Sequence, residues 1–389
     1  MTTTMTTSTI DERRVIELTQ RLARFPSPQT DQMEAEPQVQ AFIAECVAPI
    51  LTGMGVATRR DAMGNLIAEL GQRGAERSLL LMTYAMTHPQ SKMTDPWGGT
   101  VIDTPEGPAV RGRGVSEQKA PLATVLVALE SILRSHKTLG GHLVFILSSA
   151  GETGRHDAAR TALATLDHMP KLGVLGLGTN GRIALGNKGR VDIDIIVRGK
   201  ASHSSTPWDG IDAIEGARQV LDRMKTLALP EREHPVLGRV TLTPTRIATG
   251  PRATHTVQDE ATITFDRRLL PGEDPKTAFA QIAERAQLPA PWQVEVREGP
   301  FMYPAEIGAD GPLVRAIREG HSRVGLAQPA TFFSHSALDA GYLLERGCEA
   351  TMWGPGRMEQ FHSDNEFTLV SELVAGAKAY AGLLAATVV

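Results

Sequence analysis

Cysteine is scarce: Cys46 and Cys348 are the only two in 389 residues, far apart in sequence. That excludes a disulfide framework and suits a reducing compartment. An excess of charge of one sign is also missing. Forty Lys and Arg stand against 44 Asp and Glu, for a net charge of −4 with no basic run. Nothing electrostatic therefore recommends a nucleic-acid partner. No apolar stretch reaches the roughly 18–20 residues needed to span a bilayer, which argues against a membrane partner. The first nine residues, MTTTMTTST, lack the basic start and apolar core of a secretory signal and are expected to form a mobile tail. These absences predict a soluble, cytoplasmic protein.

What remains is 41% apolar and 22% charged, long enough for two domains. Ile10, Val15, Leu18, Leu22 and Phe25 recur at helical spacing before the Pro26-Ser27-Pro28 stop. A second helix is expected at about 34–52. Segments 65–70 and 79–83 read as short strands, continuous in apolar residues, as in a parallel sheet covered on both faces. Helix 118–135, strand 142–148, helix 156–166 and strand 172–176 continue the alternation of an open α/β sheet. From about residue 188 the pattern changes. Val191, Ile193, Ile195 and Val197 alternate with Asp192, Asp194 and Arg198, giving a strand with one half-covered face. Helix 209–227, strands 239–247 and 260–269, helix 274–287 and strand 292–298 complete a β-α-β-β-α-β, ferredoxin-like order. Helix 311–324, strand 349–353 and a last helix at about 366–386 resume the first style. The expected division is an α/β domain from 1–187 and 299–389, with 188–298 inserted.

Ligands of open α/β sheets bind beyond the carboxyl ends of the strands. Four loops fall there: 84–89, 113–119, 150–154 and 354–362. Any one of them reads as a solvated turn. Together they bring Glu117, Glu152 and His362 to one rim, two carboxylates and an imidazole suited to zinc, manganese or iron.

The ordered motifs carry a family resemblance: Trp97 after Asp95-Pro96, GRGVSEQK at 112–119, GETG at 151–154, GKASHSSTP at 199–207, DRRLLPGE at 266–273 and GPG…H at 354–362. The chain resembles the aminoacylase, succinyl-diaminopimelate desuccinylase and glutamate carboxypeptidase family of di-metal amidohydrolases over nearly its whole length. The resemblance implies that the inserted domain mediates homodimerisation. It places the metal-bridging carboxylate at Glu117 and the second metal's ligands at Glu152 and His362. The first metal's His falls on Tyr84, its supporting Asp on Met86 and its acidic ligand on Leu177, and the general base falls on Gly151. One metal and the base are thus missing as a set. The same resemblance gives His203 the stabilisation of an oxyanion across the dimer and Arg268 the binding of a substrate carboxylate. It places His255 and Gly356 near substrate.

A site with one divalent ion per chain and no neighbouring carboxylate base is poorly equipped for ordinary peptides. Tyr84, His88 or Glu152 is a candidate for moving the proton. The first expectation is a hydrolase of a C–N bond in a small carboxylate-bearing substrate. Among such substrates is an activated aromatic amine, since some relatives, similar to nitroanthranilate aminohydrolase, remove a ring amino group. Trp97, Phe332, Phe333 and Trp353 are candidates for a planar slot, or for plain core packing, and His335 and Asp339 are further candidates for the lining. The alternatives are a small-molecule binding protein without turnover, and a lyase or isomerase using the metal as a Lewis acid.

Overall fold

The computed structural model describes residues 10–135, 138–151, 153–250 and 253–389. The expected N-terminal tail lies outside them. The chain divides into two compact units, one of residues 1–185, 307–332 and 342–389, the other of 186–306 and 333–341.

The first unit is built on a six-stranded sheet in the order Arg59–Arg60, Leu66–Gly71, His142–Ser148, Ser78–Tyr84, Leu172–Gly176, Glu349–Met352. The last four strands run parallel, and the first two form an antiparallel edge. Ser78–Tyr84 and His142–Ser148 are buried at every position, the reason both read as unbroken apolar runs. The helix Glu12–Ala23 is capped by the Asp11 carboxylate, which accepts from the Arg13 amide at 3.0 Å, and it buries Val15, Leu18 and Leu22. The helix Val370–Thr387 packs against both Ala120–Ser135 and Pro312–Arg323. Among the described residues no helix is long and apolar enough to cross a membrane.

Two helices differ from expectation, and the strands Thr100–Thr104, Gly107–Arg111, Ile183–Asn187 and Thr331–Ser334 are not among those expected. The helix expected at 34–52 is a short 3-10 turn at Met33–Ala35 followed by helix over 37–53, with a π-helical stretch at Phe42–Val47. The last helix begins at Val370, not 366, because Phe367–Leu369 pairs as a strand with Gly107–Arg111. Thr368 Oγ1 also donates to the Val115 carbonyl at 3.2 Å, which fixes the segment before the helix can start.

The second unit is a four-stranded antiparallel sheet in the order Thr241–Gly250, Glu260–Leu269, Gly189–Arg198, Gln293–Met302. Helices Ala213–Lys225 and Pro275–Ala286 complete the β-α-β-β-α-β sequence. Val191, Ile193, Ile195 and Val197 are all fully buried with Ala217, Val220 and Ile282. The alternating residues of the central strand thus bury one face, as their period of two requires. Gln293–Met302 runs past the expected boundary at 298.

One buried titratable group of the first unit makes stability depend on pH. His321 is 8% exposed, and its Nδ1 lies 2.7 Å from the Ala327 carbonyl. Burial lowers its pKa, opposed by that carbonyl; Arg182 and Glu372 are the charged groups that line a cavity with it. The unfolded ring ionises at about 6.5. A folded pKa below that value means the unfolded chain binds more protons as the solution acidifies, so this contribution is complete above about pH 6.5 and shrinks below it. The denaturation midpoint is expected to fall less between about pH 6.5 and 5.5 in His321→Phe than in wild type. Identical pH slopes in the two proteins would contradict this assignment.

Candidate metal centre

The loops after the parallel strands converge because their backbones lock onto one another. The pairing of Ser78–Tyr84 with His142–Ser148 continues past both strand ends, with Ala85 N–H donating to the Ser148 carbonyl at 2.9 Å and Met86 N–H to Ala150 at 3.3 Å. Thr87 then turns the chain aside, donating its amide to the Ser27 carbonyl at 2.8 Å. Facing it, Gly114 adopts φ +75°, and a Cβ there would stand 2.3 Å from Thr87 Cγ2. Only glycine suits that close, left-handed turn. The chain next enters the π-helical stretch Val115–Lys119, which carries Glu117.

A buried ion pair organises this region. Arg113 Nη1 lies 3.1 Å from Glu366 Oε2, with side chains 0% and 1% exposed. Glu366 also accepts the amides of Gly114 at 2.8 Å, Ser116 at 2.9 Å and Glu117 at 3.4 Å, filling the role of a cap where amides would otherwise lack partners. Burial pushes its carboxyl pKa up; those amides and Arg113 pull it back. Arg113 in turn donates to the carbonyls of Gln90 and Ser363, each at 3.0 Å. One charge pair therefore ties together the loops that carry His88, Glu117 and His362. Sequence reasoning missed it, because nothing in the spacing links residues 253 positions apart.

On this frame His362 Nε2 faces Glu117 Oε2 at 3.2 Å. His362 sits at φ +60°, a left-handed turn outside any helix or strand. Its ring stacks on His88 with centroids 4.0 Å apart and planes 12° apart, and His88 Nε2 lies 3.2 Å from Ser91 Oγ. Two ligands of one tetrahedral ion at bond lengths of about 2.0–2.1 Å stand about 3.3 Å apart. The Glu117–His362 spacing fits that edge, and a carboxylate with an imidazole suits zinc, manganese or iron. Glu152, the expected third ligand, lies outside the described residues. Among the described residues no group of three or more His, Cys, Asp or Glu stands together as a metal cluster.

The positions expected to hold another ion are apolar or closed. Met86 is fully buried, Leu177 is 7% exposed, and Tyr84 is 4% exposed at the end of its strand. A Cβ on Gly151 would stand 2.2 Å from the Met86 carbonyl oxygen. The main chain at Met86 closes onto Gly151 and leaves no room for a side chain there. Gly151→Glu is expected to cost about 1–3 kcal/mol of unfolding free energy by overpacking, without conferring dipeptide hydrolysis. Unchanged stability together with new peptidase activity would contradict this reading.

Gly356 is held to glycine in a similar way. It has φ +100°, a Cβ on it would stand 2.0 Å from the Ser116 carbonyl oxygen, and its own carbonyl accepts from Asn180 N–H at 2.7 Å. Each of the four aromatic candidates has a packing partner. Trp353 is buried against Tyr380 with centroids 4.8 Å apart, and Trp97 receives the Lys119 ammonium at 4.9 Å. Phe332 packs under Arg182, and Phe333 belongs to the other unit. Trp353 is buried, whereas Trp97, Phe332 and Phe333 are half-buried.

Within the second unit, His203, paired with Thr256 on a short antiparallel bridge, and His255, in the turn before it, lie together with centroids 5.7 Å apart. Ser205 N–H donates to His203 Nδ1 at 3.2 Å, and Ser205 Oγ lies 2.7 Å from the same nitrogen. Nδ1 is therefore an acceptor, and the ring proton of a neutral His203 sits on Nε2. Arg268 grips Asp266 with two hydrogen bonds, at 2.8 and 3.0 Å. His335 and Asp339 also belong to this unit.

Residues 185–294 match the peptidase dimerisation domain of the M20 family. The chain is 26% identical over 275 residues to a peptidase M20 domain-containing protein of Schizosaccharomyces pombe, covering 71% of this chain and 63% of that protein. It is 26% identical over 321 residues to acetylornithine deacetylase of Myxococcus xanthus, covering 80% of each. Its fold is similar to that of an M20 family metallo-carboxypeptidase from Sulfolobus solfataricus, with a TM-score of 0.74, 16% identity, and 95% and 98% of the two chains covered.

Proposed function

We propose that this chain, a divergent member of the M20 peptidase family, is a one-metal hydrolase that cleaves a C–N bond in a small carboxylate-bearing substrate. One observation carries the reading: Glu117 and His362 keep ligand spacing at 3.2 Å, while the Met86 carbonyl closes the place of a base at Gly151. Glu117, His362 and Glu152 would hold the ion. When bound, a divalent ion there polarises a substrate atom and acidifies water, less strongly than in a His-rich site because two carboxylates offset its charge.

The remaining roles fall to residues of this chain. His203, with its proton on Nε2, suits donation to an oxyanion. That role needs the inserted domain of a second copy, so the reading includes a homodimer. Arg268 keeps N–H groups beyond those on Asp266 for a substrate carboxylate, with His255 and Gly356 beside the substrate. Tyr84 is the side chain proposed to move the proton. Because no carboxylate stands at 151, the favoured substrates accept hydroxide without a strong base, as an electron-poor aromatic amine such as a nitroanthranilate does.

Metal-loaded protein tested on nitroanthranilates, N-acyl amino acids and dipeptides separates the readings. Ammonia release or deacylation at least about 100-fold faster than dipeptide cleavage, equivalent to about 2.7 kcal/mol of barrier, supports the proposal. Dipeptide turnover as fast as either contradicts it. Tight binding of a carboxylate ligand without turnover of any class indicates instead a binding protein, the reading favoured by the closed base position alone.

A further inference from the structure

His88 has no part in the proposed ligand set, yet its ring lies flat against one of the ligands. The rings of His88 and His362 are stacked, with centroids 4.0 Å apart and planes inclined by 12°. That geometry decides between two roles. An imidazole binds an ion through a lone pair in the plane of its ring, at about 2.0–2.1 Å. Planes so nearly parallel do not converge within a bond length of both rings, so in this arrangement the two histidines are not ligands of one ion. What His88 offers His362 is a flat face.

His362 stands at φ +60° in a turn between elements, with its side chain 44% exposed. Exposed side chains exchange rotamers readily, and fixing one is part of the cost of binding. His88 is half-buried, and its loop is tied down on both sides of it. Before it, the Thr87 amide donates to the Ser27 carbonyl and the Thr87 carbonyl accepts from the Gln29 amide, each at 2.8 Å. After it, Pro89 fixes its own φ, and the Gln90 carbonyl receives Arg113 at 3.0 Å. At the ring itself, Nε2 lies 3.2 Å from Ser91 Oγ. The Arg113 side chain that holds the Ser363 carbonyl next to His362 thus also holds the loop whose ring lies against that imidazole.

We propose that His88 is a positioning residue, whose ring face packs on His362 and holds that imidazole with Nε2 toward Glu117, 3.2 Å away. It raises the affinity of the site for its ion without binding the ion. The proposal rests on the one-metal reading above. What it requires at position 88 is a flat ring, not a nitrogen. A ligand role would require the nitrogen, and that difference separates the two by substitution.

The test is the zinc affinity of the full chain, measured by competition with a chromophoric chelator, for wild type, His88→Ala and His88→Phe. His88→Ala is expected to bind zinc at least about tenfold more weakly than wild type, as for other outer partners of metal ligands, and His88→Phe within about threefold of it. Melting temperatures of the three metal-free proteins are expected to agree. An affinity loss that merely follows lost stability would assign His88 to the fold and overturn the positioning role. Wild-type affinity in His88→Ala overturns the proposal. So does a His88→Phe as weak as His88→Ala, because the nitrogen and not the face would then be the contributor. None of these results touches the one-metal reading. That reading fails by a different result, a wild type that takes up no zinc, and the proposal falls with it.

Discussion

Glu117→Ala is expected to leave the purified chain with less than about a tenth of a divalent ion per chain and no measurable turnover of any substrate that wild type accepts. The expectation follows from donor count. Removing even an outer partner of a metal ligand commonly costs about 10–100-fold in affinity, and Glu117 is a direct donor in the proposed set. Its loss leaves His362 and Glu152 alone. The backbone should survive the change, because the structural work at this position is done by main-chain atoms. Gly178 N–H donates to the Glu117 carbonyl at 3.0 Å, and the Glu117 amide is held by Glu366. Melting temperature and metal content measured on the same sample separate the two effects. A chain that keeps its ion after Glu117→Ala would show that the site lies elsewhere.

Arg113→Met is expected to be the most destabilising single change in the region, by about 3–5 kcal/mol, the usual cost of stripping one partner from a buried pair. Glu366 would then keep its amide donors but lose its counter-charge at 1% exposure. The carbonyls of Gln90 and Ser363 would lose their donor as well. The effect on metal should follow from geometry: with the loops untied, His362 and Glu117 no longer hold their spacing, so affinity falls although no ligand has been touched. Arg113→Met combined with Glu366→Gln should recover part of the stability, because the uncompensated charge is gone. Denaturant midpoints of the single and double variants check this, and a single variant within about 1 kcal/mol of wild type would show that the pair does not hold the loops.

Much of the frame was legible because it is written in local patterns. Ser78–Tyr84 and His142–Ser148, buried on both faces, showed as unbroken apolar runs. Val191–Ile195 showed as alternation because one face is covered by two helices. The start of the last helix was misread because Phe367–Leu369 takes its conformation from a strand distant in sequence, and no window of local sequence carries that partner. The Glu117–His362 pair was legible through ordered motifs. The ion pair beneath it was not, since Arg113 and Glu366 meet only in the folded chain. Gly151 shows the same limit in another form. The sequence revealed that a carboxylate was missing, but only the fold shows that a side chain at 151 would stand 2.2 Å from a main-chain carbonyl, that of Met86.

Metal stoichiometry tests the central claim most directly. The full chain, stripped, supplied with excess zinc or manganese, freed of unbound metal and analysed by mass spectrometry, is predicted to retain one ion per chain, and to lose it in Glu117→Ala. Two ions per chain, or none after reconstitution, would contradict a one-metal site at Glu117 and His362.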